Sequence, residues 1–406
     1  MDFEFSEEQQ AFAQEVIAFC DEHDDIDIFD VTRENMAQIV DTPKRRAFMK
    51  EVGHKGWLGM TWPKEYGGSE GEGVYEYILN EELAGRGGPQ IGKGVGIIGK
   101  TLIAHGSDFL KDKFLPMILE NDVEFAVGYS EPNAGSDAAS MRLKGVKHTT
   151  EDGREGWLLN GQKTWTTSAH FAEWYWCGVR TDPDNKHMGI TLMLIPMDDP
   201  GITINGIWTM GDERTNEVWL DNVFVPDEYV VGEVNHGFRY ISQALDLERF
   251  TMFTFAPIKQ RLDLLTEYVK TTVRDGVPLK DDPVVRARMA KLHTDAEVAR
   301  VMGLKFVAEA VKVEKLVHEG KPYQPPTLQA SEYKLFATEL SKRLADASMD
   351  IGGPGTQLRV RTEDAPMAGR AESTYRYTVI DTIGGGASEI QKNIIARRGL
   401  GLPKNF

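Results

Sequence analysis

The stretch Tyr129-Ser130-Glu131-Pro132-Asn133-Ala134-Gly135-Ser136-Asp137 follows directly on the apolar run Phe125–Val127. It is built from small and turn-forming residues, so it reads as a loop leaving a strand. A second motif, Asn160-Gly161-Gln162-Lys163-Thr164-Trp165-Thr166-Thr167-Ser168, comes later in the chain. Around both lie short β-branched and aromatic runs bounded by Gly, Asn and Asp: WLLNGQKTW, AEWYWCGVRT, GITLMLIPM and NEVWLDNVFVP. Such runs predict strands, and residues from about 125 to 233 read as a β domain.

Helical periodicity flanks it on both sides. Ser6 reads as an N-cap and Gln9 completes a capping box, after which Phe12, Val16, Phe19 and Cys20 recur along one face. WPKEYGG at 62–68 and GRGGP at 85–89 are turn chemistry inside an otherwise helical region. Beyond His236, Leu262, Leu265, Tyr268 and Val269 form one stripe, and long helices are predicted near 284–318 and 328–349 with Lys321–Pro326 as the loop between them. The expected class is α+β: an N-terminal helical domain over 1–120, a middle β-barrel-like domain over 121–235, and a C-terminal four-helix bundle over 236–406.

Composition bounds the function. The chain has 406 residues, 41% hydrophobic and 27% charged, long enough for several packed layers. No run approaches the roughly 18–20 apolar residues of a bilayer span. The net charge of -17 argues against a nucleic-acid or anionic-membrane partner, yet a few local Arg, Ser and backbone N–H groups can still hold an anionic nucleotide. The opening MDFEFSEEQQAF carries acids where a leader would carry Lys or Arg, so cytoplasmic residence is the expectation. Cys20 and Cys177 read as two separate buried thiols, with no metal site, so any redox chemistry comes from a cofactor.

Together the two motifs resemble those of the acyl-CoA dehydrogenase family, and the α, β, α order matches over essentially the whole chain. Further landmarks follow in order: FVPDEYVVG at 224–232, GGPG at 352–355 and ASEIQKNIIARRGLGLP at 387–403. The resemblance implies FAD, bound on the wall formed by the two motifs. It implies contacts from Tyr129 through its backbone, from Ser130, Trp165 and Thr167, and from Ser136 toward the ribityl chain or the thioester. Small Ala134 and Gly135 would let the backbone approach a planar ring, and Trp165 would supply an apolar face.

Family chemistry needs a carboxylate to take the α-proton of the thioester. The position where most relatives keep that Glu is Gly385 here, within GGGASEIQ. A minority of the family carries the base in a segment like LDLER, and this chain has that segment at 245–249, so the resemblance assigns Glu248 as the base. Gly385 and Gly386 would lie beside the cofactor and the thioester, with the Gly385 N–H free to meet the carbonyl. Glu389 would contact the cofactor's ribose or ribityl chain. Three consecutive glycines also suggest room for a bulky or branched acyl group.

Two motifs by which homotetrameric relatives grip a neighbour's flavin pyrophosphate are degraded, around Arg274 and at Met349. With GGG at the usual base loop, this resembles the base-bearing chain of the heteromeric dehydrogenases of bacterial steroid side-chain breakdown. It implies an unlike partner in an α2β2 assembly and an electron-transfer flavoprotein as acceptor. The alternatives on the same scaffold are an oxygen-reacting oxidase or monooxygenase, and a non-catalytic subunit completing a partner's flavin site.

Overall fold

A computed structural model of the chain describes residues 4–32, 40–243 and 254–403. Its described residues fall into two compact units, one taken from Met1–Ala37, Glu72–Gln90 and Arg249–Phe406, the other from Gln38–Gly71 and Ile91–Glu248.

The second of these units carries the sheet. Its strands are β1 (Phe125–Gly128), β2 (Lys144–Thr149), β3 (Glu155–Lys163), β4 (Trp174–Arg180), β5 (Ile190–Pro196), β6 (Ile202–Trp208), β7 (Arg214–Pro226) and β8 (Val230–Val231). They pair in the order β6-β7-β3-β2-β4-β5-β8, with β1 parallel to β4 from Phe125↔Trp174 to Gly128↔Cys177. β4 and β5 are apolar almost without interruption because nearly every residue in them is buried. The core between them and β3 and β7 includes Leu159, Tyr175, Cys177, Val179, Met193, Val218 and Val223. Helices α2 (Pro43–His54), α4 (Lys100–His105) and α5 (Asp108–Leu119) belong to this unit, and a further helix, α6, occupies 237–243. α5 meets the sheet through Phe114, whose ring stands edge-on to Trp174 at 4.8 Å.

The other unit is helical. α1 (Glu7–Glu22) starts at the expected capping box, with Ser6 and Gln9 each bonding the other's backbone N–H. Val16, Phe19 and Cys20 are buried as the periodicity requires. α7 (Ala256–Thr271), α8 (Pro283–His318), α9 (Thr327–Gly352) and α10 (Arg370–Asp381) share one core that includes Leu262, Leu265, Val269, Leu292, Phe306, Leu340 and Leu344. These are the four helices of the expected bundle, and Asp282 caps α8 through Val284 and Val285 with Pro283 in the first turn. α11 (Ser388–Ile394) follows. No helix among the described residues is long and apolar enough to cross a membrane.

α3 (Gly73–Gly85) carries a carboxylate used as a distant cap. Glu81 accepts from the backbone N–H groups of Phe255 and Ala256, both at 2.6 Å, at the first turn of α7. Burial pushes its carboxyl up to about 7, against the lowering effect of those two donors. A raised carboxyl pKa favours the protonated fold, so this contribution is complete below the unfolded value near 4.5 and is lost as pH rises through about 7. Glu81→Gln is therefore expected to flatten the fall of Tm between pH 4.5 and 7, a change that thermal melts across that range would read directly.

Candidate flavin and thioester site

β1 ends at Gly128, where an added Cβ would sit 2.4 Å from the Tyr175 ring, so only glycine lets the strand lie this close to β4. The chain then turns on Pro132–Asn133, with Glu131 and Ala134 exchanging both backbone hydrogen bonds at 3.0 Å. The turn is anchored from inside. The Glu131 carboxylate, 8% exposed, accepts from the N–H groups of Arg142 and Leu143 at 2.5 and 2.8 Å and from Lys163 Nζ at 2.8 Å. Lys163 is fully buried at the end of β3, and its ammonium also reaches the Tyr129 carbonyl at 3.4 Å.

The second motif is fixed to the first by the Thr164 N–H, which donates to the Ser130 carbonyl at 2.9 Å. Thr166 is the inward pin. Its N–H donates to the Asn216 carbonyl, its carbonyl accepts from Asn216 Nδ2, both at 2.9 Å, and its hydroxyl pairs with Tyr175 at 2.9 Å. Alternation along the backbone leaves Trp165 60% exposed and Thr167 half-buried. Trp165 and Ser168 hold left-handed backbone, φ 57° and 72°, at a cost on the order of 1–3 kcal/mol each that the Asn216 and Tyr175 contacts must offset.

The surface so made fits a flat polar-edged ring. The Ser130 and Thr167 hydroxyls make no hydrogen bond among the described residues. An added Cβ at Gly135 would meet nothing within 4 Å, and Ala134 is packed away beneath it. Tyr129 is held by Trp176, whose Nε1 donates to its hydroxyl at 2.8 Å. Ser136 is exposed, and beside it Asp137 is held below the usual carboxylate range by its hydrogen bond from Lys186 at 2.8 Å. Tyr129, Ser130, Trp165 and Thr167 thus lie around the Ser130–Thr164 junction of the sheet unit, and Ser136 follows farther along the same loop.

Gly385, Gly386 and Glu389 lie in the helical unit, the two glycines in the turn from α10 to α11. Gly385 and Gly386 have φ of 62° and 93°, so the backbone there favours residues without a Cβ. That gives two of the three glycines a conformational reason beside the expected spatial one. Glu389 is exposed in the first turn of α11. Glu248, the expected base, lies outside the described residues.

Comparison with known proteins decides the lineage. The N-terminal, middle and C-terminal domain families of acyl-CoA dehydrogenase match residues 6–122, 126–223 and 235–400. Acyl-CoA dehydrogenase FadE26 of Mycobacterium tuberculosis is 33% identical over 364 residues, 88% of each chain. The chain belongs to the acyl-CoA dehydrogenase family. Acyl-CoA dehydrogenase IpdE1 of the same organism is 32% identical over 368 residues, 89% of each chain. Among solved structures, the Tcur3481-Tcur3483 steroid ACAD superposes with a TM-score of 0.85 at 29% identity over 100% of both chains. The ChsE4-ChsE5 complex from Mycobacterium tuberculosis gives 0.84 at 30% identity, again over 100% of both.

As a member of this family of flavoproteins, the acyl-CoA dehydrogenase described here is an oxidoreductase acting on acyl-CoA. Three of its anchoring residues carry no role in the sequence reading. Glu131 and Lys163 sit inside the quoted motifs, where opposite charges among small and apolar neighbours are the signal of a buried pair. Asn216, fully buried at the start of β7, leaves no such trace.

Proposed function

We propose that this chain is the base-bearing subunit of an FAD-dependent acyl-CoA α,β-dehydrogenase that takes a bulky, steroid side-chain type of CoA thioester. The observation that carries the reading is the hydrogen-bonded junction of the two motifs at Ser130 and Thr164, with the exposed Trp165 and the unengaged Ser130 and Thr167 hydroxyls beside it in the chain. In this reading the 121–235 domain holds the flavin ring, and the 236–406 domain supplies Glu248 and the Gly384–Gly386 turn. Ser136 faces the ribityl chain or the thioester, and Glu389 the cofactor's ribose or ribityl chain. When bound, the flavin supplies the acceptor for the hydride leaving the β-carbon.

The residues of the chain do the rest. Glu248 takes the α-proton as the Cα–H electrons move into the new Cα=Cβ bond. The backbone N–H groups of the glycine turn meet the thioester oxygen, where negative charge grows as the proton leaves. The bulky substrate class draws support from the likeness to a steroid ACAD and from the side-chain-free turn.

An unlike partner, in an α2β2 assembly with one flavin per pair, fits the fate of Arg274. Its guanidinium donates to the Ile351 carbonyl at the end of its own α9, and Met349 packs toward its own bundle core. Residues that grip a neighbour's pyrophosphate in homotetramers are here spent within the chain. The likeness to the ChsE4-ChsE5 complex supports an unlike partner. An electron-transfer flavoprotein is the proposed acceptor.

Purification from the native host, with flavin per polypeptide counted and CoA thioesters added under anaerobic conditions, tests this. We expect a second, related chain, about half a flavin per chain, and bleaching of the flavin by a bulky CoA thioester. An active, fully flavinated homotetramer would overturn the unlike partner. Peroxide formed at the turnover rate would replace the dehydrogenase by the oxidase, and flavin that no CoA thioester bleaches would leave the non-catalytic subunit.

A further inference from the structure

Lys334 is the one lysine on the buried stripe of α9, one residue after Tyr333 and one helical turn after Ala330, a phase at which an apolar residue is expected. Its side chain is fully buried. Burying an ammonium costs several kcal/mol unless polar groups replace its water. Here the replacement is specific: Nζ donates to the carbonyls of Asp381 and Gly386, each at 2.9 Å. Gln391, also fully buried, adds its amide Nε2 to the carbonyls of Gly385 and Gly386 at 3.2 and 3.0 Å. That orientation leaves Gln391 Oε1 without a partner among the described residues, while the flipped amide would set its oxygen against two carbonyls.

In a trans peptide the C=O and N–H point in opposite directions. The peptides 385–386 and 386–387 have their oxygens held from one side by Lys334 and Gln391, so the N–H groups of Gly386 and Ala387 are aimed to the other. The N–H groups of Gly385, Gly386 and Ala387 donate to nothing among the described residues. A cation on the carbonyl side of a peptide polarises it and strengthens the donor on the far side. Left-handed Gly385 and Gly386 make this arrangement possible, and the two side chains make it rigid.

We propose that Lys334, assisted by Gln391, is a positioning residue for the reaction: together they fix and polarise the Gly386 and Ala387 donors that stabilise negative charge on the thioester oxygen. It touches neither substrate nor cofactor. Its effect is exerted through the turn, and because the charge it opposes develops only as the α-proton leaves, its loss falls on the chemical step more than on binding. The inference rests on the dehydrogenation proposed above.

The test uses the flavin-loaded protein with its partner, as purified, in four forms: wild type, Lys334→Met, Lys334→Arg and Gln391→Leu. The probe is a thioether analogue of acyl-CoA with sulfur in place of the β-methylene, whose α-proton is acidic but which cannot be dehydrogenated. Its ionisation on the enzyme is followed as a long-wavelength absorption band across pH. We expect Lys334→Met to keep its flavin, to lose kcat by about 10²-fold with KM altered much less, and to ionise the bound analogue only at a pH higher by one unit or more. Gln391→Leu should shift both in the same direction by less, and Lys334→Arg should restore part of the loss. A flavin-loaded Lys334→Met with unchanged kcat and an unchanged ionisation curve would overturn the inference. If that variant does not fold, the Gln391→Leu curve decides in the same way. Wild type that ionises no analogue would instead refute the dehydrogenase reading itself.

Discussion

Glu248→Gln is expected to lower kcat by about 10²–10⁴-fold, the range for loss of a positioned general base, while flavin content and thermal stability stay near wild type. Glutamine keeps the shape and hydrogen-bonding reach of the side chain but cannot accept a proton. The turn that bears the base in most relatives offers Gly385 here, so nothing at that position can take over. A second signature separates loss of a base from loss of binding. The wild-type kcat/KM should rise with pH as the carboxylate ionises, and the variant should lose that limb. Single-turnover bleaching of the flavin under anaerobic conditions reads both. Turnover within tenfold of wild type would remove Glu248 from the mechanism.

The second large effect is on the turn that follows β1. Lys163→Met leaves the Glu131 carboxylate, 8% exposed, without its counter-charge, and breaking such a pair costs about 3–5 kcal/mol. Because Glu131 also carries the Arg142 and Leu143 N–H groups, and Lys163 also holds the Tyr129 carbonyl, the loss should loosen the whole turn from Tyr129 to Ala134. Denaturant unfolding should show the destabilisation, and flavin per chain should fall with it. Adding Glu131→Gln to Lys163→Met should recover part of the stability, since the orphaned charge is then gone. If the double variant is no more stable than the single one, the pair is not the anchor.

How much of this was readable beforehand follows from the range of the interactions concerned. The capping box at Ser6 and Gln9 is local, and the runs that became β4 and β5 are apolar enough to announce themselves. β2 and β6 went unread because β2 buries only Gly145 and β6 buries nothing fully: they are strands through their partners β3 and β7, not through their own pattern. The two motifs stand out in the sequence as runs of small and turn-forming residues. What each is fastened to does not, because the Glu131–Lys163 pair and the Asn216–Thr166 clasp, like the Lys334 contact to Gly386 in the helical unit, join residues far apart in sequence. Spacing says where a side chain sits on its own element and nothing about what it meets. The partition of the helices between the two compact units, α1 and α3 with the C-terminal helices and α2, α4 and α5 with the sheet, is likewise a property of packing.

The two thiols bear on how the enzyme's chemistry can be measured. Cys20 and Cys177 are both free and buried, and burial pushes each up to about 12. At neutral pH that leaves on the order of one thiolate in 10⁵, and the thiolate is the species that oxidants and alkylating reagents attack. A flavin that leaks electrons to oxygen would therefore release peroxide that neither thiol consumes. The same silence makes the native chain a blank background, in which a single introduced cysteine could carry a label to any chosen surface.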